Sequence, residues 1–196
     1  MKQIIVKLHD FLLLVDYYLS RINQYIISFK FKKISKPFIF GKNNRFLGLK
    51  HVQIGNNFNS LDRLRIEAIS NFNTQTFSPN IIIGNNVSFN SDIHIGCIDS
   101  VFIGDNCLLA SRIYISDHNH GDTSKGMKDI IAINRPLISK PVIIKENVWI
   151  GEGVSILPGV TIGKNSIIGA NAVVTKSIPE NSVAVGIPAR VIKVLE

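Results

Sequence analysis

The chain has 196 residues, 45% apolar and 18% charged. That is enough to bury a sizeable core in one domain with an appendage, and it excludes a disordered chain. Cys97 and Cys107 form no CxxC pair; a disulfide scaffold and a zinc ribbon are excluded, and a reducing compartment fits. The net charge of +8 is confined to residues 1–50, where ten Lys/Arg face Asp10 and Asp16, while the rest of the chain is neutral.

Along the first thirty residues Ile4, Leu8, Phe11, Val15, Tyr18, Ile22, Tyr25 and Phe29 advance by four and three in turn. That is the stripe of one or two helices. Lys7, Asp10, Asp16 and Arg21 interrupt it, leaving no run of roughly 18 apolar residues for a membrane span. With no small-residue cleavage site after a short apolar core, a secretory signal is not expected either. Residues 1–45 are read as a basic helical arm with two expected roles. It covers the open end of the following structure or packs between subunits; or residues 1–36 lie on a membrane, with the Lys30–Lys36 cluster on anionic headgroups. No nucleic-acid-binding motif accompanies the charge, so nucleic acid is not an expected partner.

Internal repeats decide the fold of residues 46–196. Ile144, Ile150, Ile156, Ile162, Ile168 and Val174 recur every six residues without a slip, each preceded at two residues by a small or β-branched residue. Weaker copies run through Ile54-Gly55, Ile83-Gly84, Phe89 and Ile95-Gly96, then after a two-residue slip through Ile103-Gly104, Leu109 and Ile115. Period six is neither the 2 of a strand nor the 3.6 of a helix. It is the period of an all-β hexapeptide β-helix, with one short strand and one turn per hexad and three hexads per triangular coil. The aliphatic residue of each hexad points inward and stacks on its equivalent roughly 4.8 Å away. Gly, and Asn in Asn56-Asn57 and Asn85-Asn86, serves the turns. The phase breaks between Ile115 and Ile144, so residues of about 118–141 leave the coil as a loop, a candidate functional site.

Asp117-His118-Asn119-His120-Gly121-Asp122 opens that loop with two of the five histidines. A neutral imidazole suits a general base. A metal clamp and a pair of solvated histidines are the alternatives the spacing leaves open. His94 is expected in a coil wall, as are Cys97 and Cys107, which nothing marks as nucleophiles.

The stretch ISDHNHGD, followed by VWIGEGVSILPGVTIGKNSIIGANAVVTKSIPENSVAVGIPARVIK, resembles the hexapeptide-repeat acetyltransferases across residues 50–193. Galactoside and maltose O-acetyltransferases are members, and the similarity is greatest to those that decorate lipopolysaccharide O-antigen and capsule. The resemblance implies a left-handed coil, whereas the usual rule for parallel crossovers favours the right hand. It implies acetyl-CoA as donor, with no metal, and His118 or His120 as the base on an acceptor hydroxyl. Asn90 is implied as a substrate or transition-state contact and Trp149 as the neighbour of the thioester. Glu152 occupies a slot whose backbone N–H resembles an oxyanion donor. Ala170, Thr175, Lys176, Arg190 and Lys193 match coenzyme A positions; Lys193 stands where Arg is common, which turns a bidentate phosphate contact into a point charge.

The expected function is that of a cytoplasmic O-acetyltransferase acting on a surface-polysaccharide sugar or its precursor, and the resemblance implies a homotrimer with sites between subunits. The alternatives are N-acetylation of an amino sugar and a metal-dependent lyase of the same fold that calls on His94, His118 and His120.

Overall fold

The computed structural model describes residues 2–121 and 126–196. A helix, α1 (Lys2–Ser28), leads into a left-handed parallel β-helix with three faces of six, eight and six strands. One coil shows the plan. Asn80–Ile83 lies on the first face, Ser88–Phe89 on the second and His94–Cys97 on the third, before Ser100–Ile103 returns to the first one rung higher.

Every sixth residue points inward as the period requires. Ile54, Ile83, Ile103, Ile144 and Ile162 stack in register up the first face. Ile66, Ile95, Ile115, Ile156 and Val174 do so on the third. All are at most 1% exposed, and burying each aliphatic side chain contributes about 1.5–3 kcal/mol before conformational entropy is counted. At the turn from first to second face, Asn57, Asn86, Asn106, Asn147, Asn165 and Asn181 all adopt positive φ. Their amides form ladders: Asn57 Nδ2 donates to Asn86 Oδ1 at 3.1 Å and Asn86 Nδ2 to Asn106 Oδ1 at 3.0 Å. Asparagine thus supplies the left-handed turn and a bond to the next rung.

The structure moves the expected boundary at residue 45/46. The helix ends at Ser28 and the first coil begins at Lys33–Ile34, continuing through Phe38–Phe40 and Arg45–Leu47. This coil hides its period because aromatic residues fill it: Phe31 stacks on Phe40 at 5.8 Å, and Phe46 packs edge-on to both. Phe31 and Ile27 plug the open end of the core, one of the two roles expected of the arm.

Two segments leave the coil, both at the edge where the third face returns to the first. The expected loop, about 118–141, is a ribbon at its base: His118–His120 pairs antiparallel with Leu137–Ser139. A shorter hairpin between Ala68 and Asn80, Asn71–Phe72 against Gln75–Thr76, was not expected. Gln75 zips the two together, donating to the Leu137 carbonyl at 3.1 Å and accepting from its N–H at 2.7 Å. The final strand, Arg190–Val194, folds back antiparallel on Ser182–Val185 at the top of the second face.

Candidate active site

The two-residue slip after Ile95 has a structural purpose. It inserts Ile98 and Asp99 at the third-to-first edge, and their N–H groups point at the Asp117 carboxylate one rung above. Ile98 N donates at 3.0 Å to Oδ1 and 3.1 Å to Oδ2, and Asp99 N at 2.8 Å to Oδ2. Asp117 is 0% exposed, and a carboxylate is tolerated there because charge-assisted bonds replace its water. Its Oδ1 lies 2.8 Å from Nδ1 of His118, whose side chain is 11% exposed. Donation from Nδ1–H to Asp117 leaves Nε2 with its lone pair, the state of an oriented base. The ring lies over Gly96, where an added Cβ would come within 3.3 Å of its Cε1. Ser116 Oγ donates to the His118 carbonyl at 2.9 Å and fixes the backbone.

His120 stands on the same side of the ribbon two residues on. It is exposed, and its ring packs edge-on to Phe72 of the hairpin at 5.2 Å. The mouth between the two excursions therefore holds two imidazoles in different states, one fixed and one open. Asp122, the second flanking carboxylate, lies outside the described residues.

Along the outside of the third face, Arg45, Arg65, His94 and Tyr114 share one cross-strand row, and Glu67, Gly96 and Ser116 share the next. Glu67, 10% exposed, is the hub. It takes Arg65 Nη2 at 2.7 Å, His94 Nε2 at 3.1 Å and Arg45 Nε at 3.5 Å. Burial pushes its carboxyl up, but Arg65 and His94 outweigh that and hold it below its ordinary value. Burial, then the Arg65 charge, keep His94 low and favour the neutral ring. His94 is in the wall as expected, with its ring turned outward. The two thiols are wall residues as well: burial pushes Cys107 up to about 11 and Cys97 higher still, so neither is a nucleophile.

The remaining candidates are spread over the coil. Trp149, Ile167, Val183 and Lys193 form one outward row across the second face. Trp149 is 50% exposed beside a groove of about 520 Å³ that runs past Asn165 and Asn181. Arg190, exposed, is on the same last strand. Glu152 and Ala170 lie one rung apart at the second-to-third edge, and among the described residues neither N–H donates to a protein acceptor. The Glu152 carboxylate is taken by Arg112 Nη2 at 2.6 Å, which leaves its amide as the available group.

Asn90 is on that same edge, two rungs below Gly151. Thr175 and Lys176, both exposed, follow the third face near the edge that carries His118. The structure therefore does not gather the set within one chain: the histidines occupy one edge, Asn90, Glu152 and Ala170 another, and Trp149, Arg190 and Lys193 the second face. The histidines of the lyase alternative are also otherwise engaged, His94 with Glu67, His118 with Asp117 and His120 against Phe72. Among the described residues no group of three or more His, Cys, Asp and Glu could hold a metal ion.

Sequence reasoning missed the Asp117 carboxylate as the partner of His118, the Glu67 hub, the bare surface of Gly96, and Phe72 and Gln75 in the hairpin. The slip at residues 97–99 was a usable signal for the first; the others depend on cross-strand register.

Residues 141–176 match the model of the family described as bacterial transferase hexapeptide (six repeats). The chain is 40% identical over 147 residues to WbbJ of Escherichia coli (strain K12), named as a lipopolysaccharide biosynthesis O-acetyl transferase, a match covering 72% of this chain and 71% of WbbJ. Its fold is similar to that of a maltose O-acetyltransferase from Clostridium difficile 630, with a TM-score of 0.62 and 32% identity over 88% of this chain and 74% of that one. It is also similar to a galactoside acetyltransferase solved in complex with coenzyme A, with a TM-score of 0.55 and 30% identity over 88% and 70% of the two chains. With its coil, its loop histidines and its exposed tryptophan row in place, the chain belongs to the hexapeptide-repeat acetyltransferases.

Proposed function

We propose that this enzyme transfers acetyl from acetyl-CoA directly to a hydroxyl of a surface-polysaccharide sugar or its precursor. The observation that carries the reading is the His118 ring, held at Nδ1 by a buried carboxylate at the mouth between two excursions. In the proposed step Nε2 takes the hydroxyl proton as the acceptor oxygen forms its bond to the thioester carbonyl carbon. The carbon–sulfur bond then breaks, and the proton passes to the departing thiolate. Trp149, the free N–H groups of Glu152 and Ala170, and the cations Lys176, Arg190 and Lys193 suit a thin amide-bearing arm ending in phosphates. The likeness to WbbJ supports a polysaccharide acceptor.

The separation of the two groups of residues on different edges supports a site completed between copies, as a homotrimer would complete it. A second reading, with His120 as the base, is favoured by its exposure, since a donor held on another copy reaches an exposed ring more readily. The cytoplasm is the proposed compartment, in keeping with two buried free thiols.

The test is thiol release from acetyl-CoA against a panel of oligosaccharide acceptors, with NMR of the acylated product. We expect an ester on a hydroxyl and a turnover loss of about 10²-fold or more in His118→Ala. A loss confined to His120→Ala transfers the role to that ring. Wild-type turnover in both variants sinks the mechanism, and an acetylated amine corrects the acceptor.

A further inference from the structure

Helix α1 meets the protein through polar residues in its second half and turns a broad apolar side away, with Val6, Leu13 and Tyr17 exposed on the inner side as well. Gln24 is its one buried residue among those whose side chains are described. The Gln24 amide donates to the Phe40 carbonyl at 2.7 Å and accepts from the Phe40 N–H at 3.2 Å. Arg21 reaches the Phe38 carbonyl at 3.4 Å, and Asp16 pairs with Lys42. The opposite side carries three apolar columns. Leu8, Val15, Ile22 and Phe29 form one, Phe11, Tyr18 and Tyr25 the second, and Ile5, Leu12, Leu19 and Ile26 the third; all are exposed. An exposed apolar surface of that length marks a docking site.

We infer that this face lies in the plane of an anionic lipid surface, with the basic segment that follows it on the headgroups. Three observations select a bilayer over the helix of a second copy. The third column is apolar at positions where a coiled-coil seam places charges, so the stripe is wider than a helix pair covers. The Lys36 ammonium sits 4.9 Å from the Tyr25 ring centroid, at the border of the stripe. A helix seam would strip that charge of water, whereas at a lipid surface it extends to the phosphates while tyrosine stays at the interface. Finally, Lys30, Lys32, Lys33 and Lys36 are all exposed at the end of the helix, in a chain whose residues 51–196 carry no net charge. The positive field is therefore concentrated where the apolar face ends. No described helix is long and apolar enough to cross a membrane, so the helix lies on the surface.

The inference is independent of the acyl-transfer reading and is tested with the full chain. The protein is sedimented with phosphatidylcholine vesicles and with vesicles containing phosphatidylglycerol, at low and high salt. We expect binding to the anionic vesicles, weakened at high salt. It should fall by about tenfold or more when all four lysines are changed to glutamate, and should be lost in a Leu12→Asp, Leu19→Asp variant. Thiol release with a soluble acceptor, followed in parallel, is expected to persist in both variants and separates loss of docking from loss of activity. Wild-type protein that stays in the supernatant overturns the inference, as does equal binding to both lipids or binding unaffected by the variants. A fall in oligomeric mass of the leucine variant without lipid, with no vesicle binding by the wild type, assigns the face to a second copy.

Discussion

Replacing Asp117 by asparagine changes one atom and separates the two roles assigned to its carboxylate. Oδ2 serves the N–H groups of Ile98 and Asp99, at 3.1 and 2.8 Å, and the amide oxygen of asparagine can take its place, although Ile98 N loses its second bond, to Oδ1 at 3.0 Å. The amide NH₂ then occupies the Oδ1 position, 2.8 Å from His118 Nδ1. A donor there makes Nδ1 the acceptor and moves the ring proton to Nε2, where it blocks proton abstraction. We expect turnover to fall by about 10²- to 10⁴-fold, roughly 3–5.5 kcal/mol on the barrier at 1.36 kcal/mol per decade. The fold should lose only about 1–2 kcal/mol as charge-assisted bonds become neutral ones. Asp117→Ala, by contrast, orphans both backbone N–H groups and should cost about 3–5 kcal/mol. Urea melts give the stabilities, chromogenic thiol release gives turnover, and nitrogen-15 shifts of the imidazole report the tautomer. An Asp117→Asn protein with near-wild-type turnover and a flipped tautomer would refute the assignment of His118 as the base.

A methyl group at Gly96 must push the His118 ring by a few tenths of an ångström, so Gly96→Ala should lower turnover about tenfold with little change in melting; unchanged turnover would show that the ring is not held there for catalysis. On the asparagine ladder, Asn86→Ala should cost about 1–2 kcal/mol and Asn86→Gly less, because glycine keeps the left-handed turn and loses only the amide bonds. Equal melting shifts for the two would remove backbone conformation from the explanation. Glu67 and His94 both titrate below their ordinary values of 4.5 and 6.5 in the native protein. The unfolded chain therefore takes up protons first, and stability drains as the pH falls, below about 6.5 for His94 and below about 4.5 for Glu67. His94→Gln should flatten the upper part of that acid limb in urea melts, and an identical slope in variant and wild type would disprove it.

The coil was legible because every hexad from Val142 to Val174 obeys one rule, a single inward aliphatic residue per six. The first coil was not, because Phe38, Phe40 and Phe46 fill the same positions without the Ile-Gly mark. His118 could be singled out from its place at the phase break. Its state could not, because Asp117 reads as any loop carboxylate until register puts the N–H groups of Ile98 and Asp99 beneath it. The hairpin at 71–76 was missed since its strands are two residues long and its anchors, Gln75 and Phe72, bind the other excursion rather than the coil. Site residues on separate edges are likewise invisible in a linear motif, where Trp149 and Glu152 stand three apart yet sit on a face and an edge.

The return strand Arg190–Val194 bears on how long the particle can grow. Without it, the top rung of the second face would present a row of open amides and carbonyls, whereas the bottom rung of that face is already capped by Gln24 and Arg21 of the helix. Because the segment runs the other way, it occupies that row and blocks a newcomer. Ending the chain at Gly186 should therefore expose that row and promote pairing top to top between copies as well as inactivating the enzyme, and the two defects would share one strand.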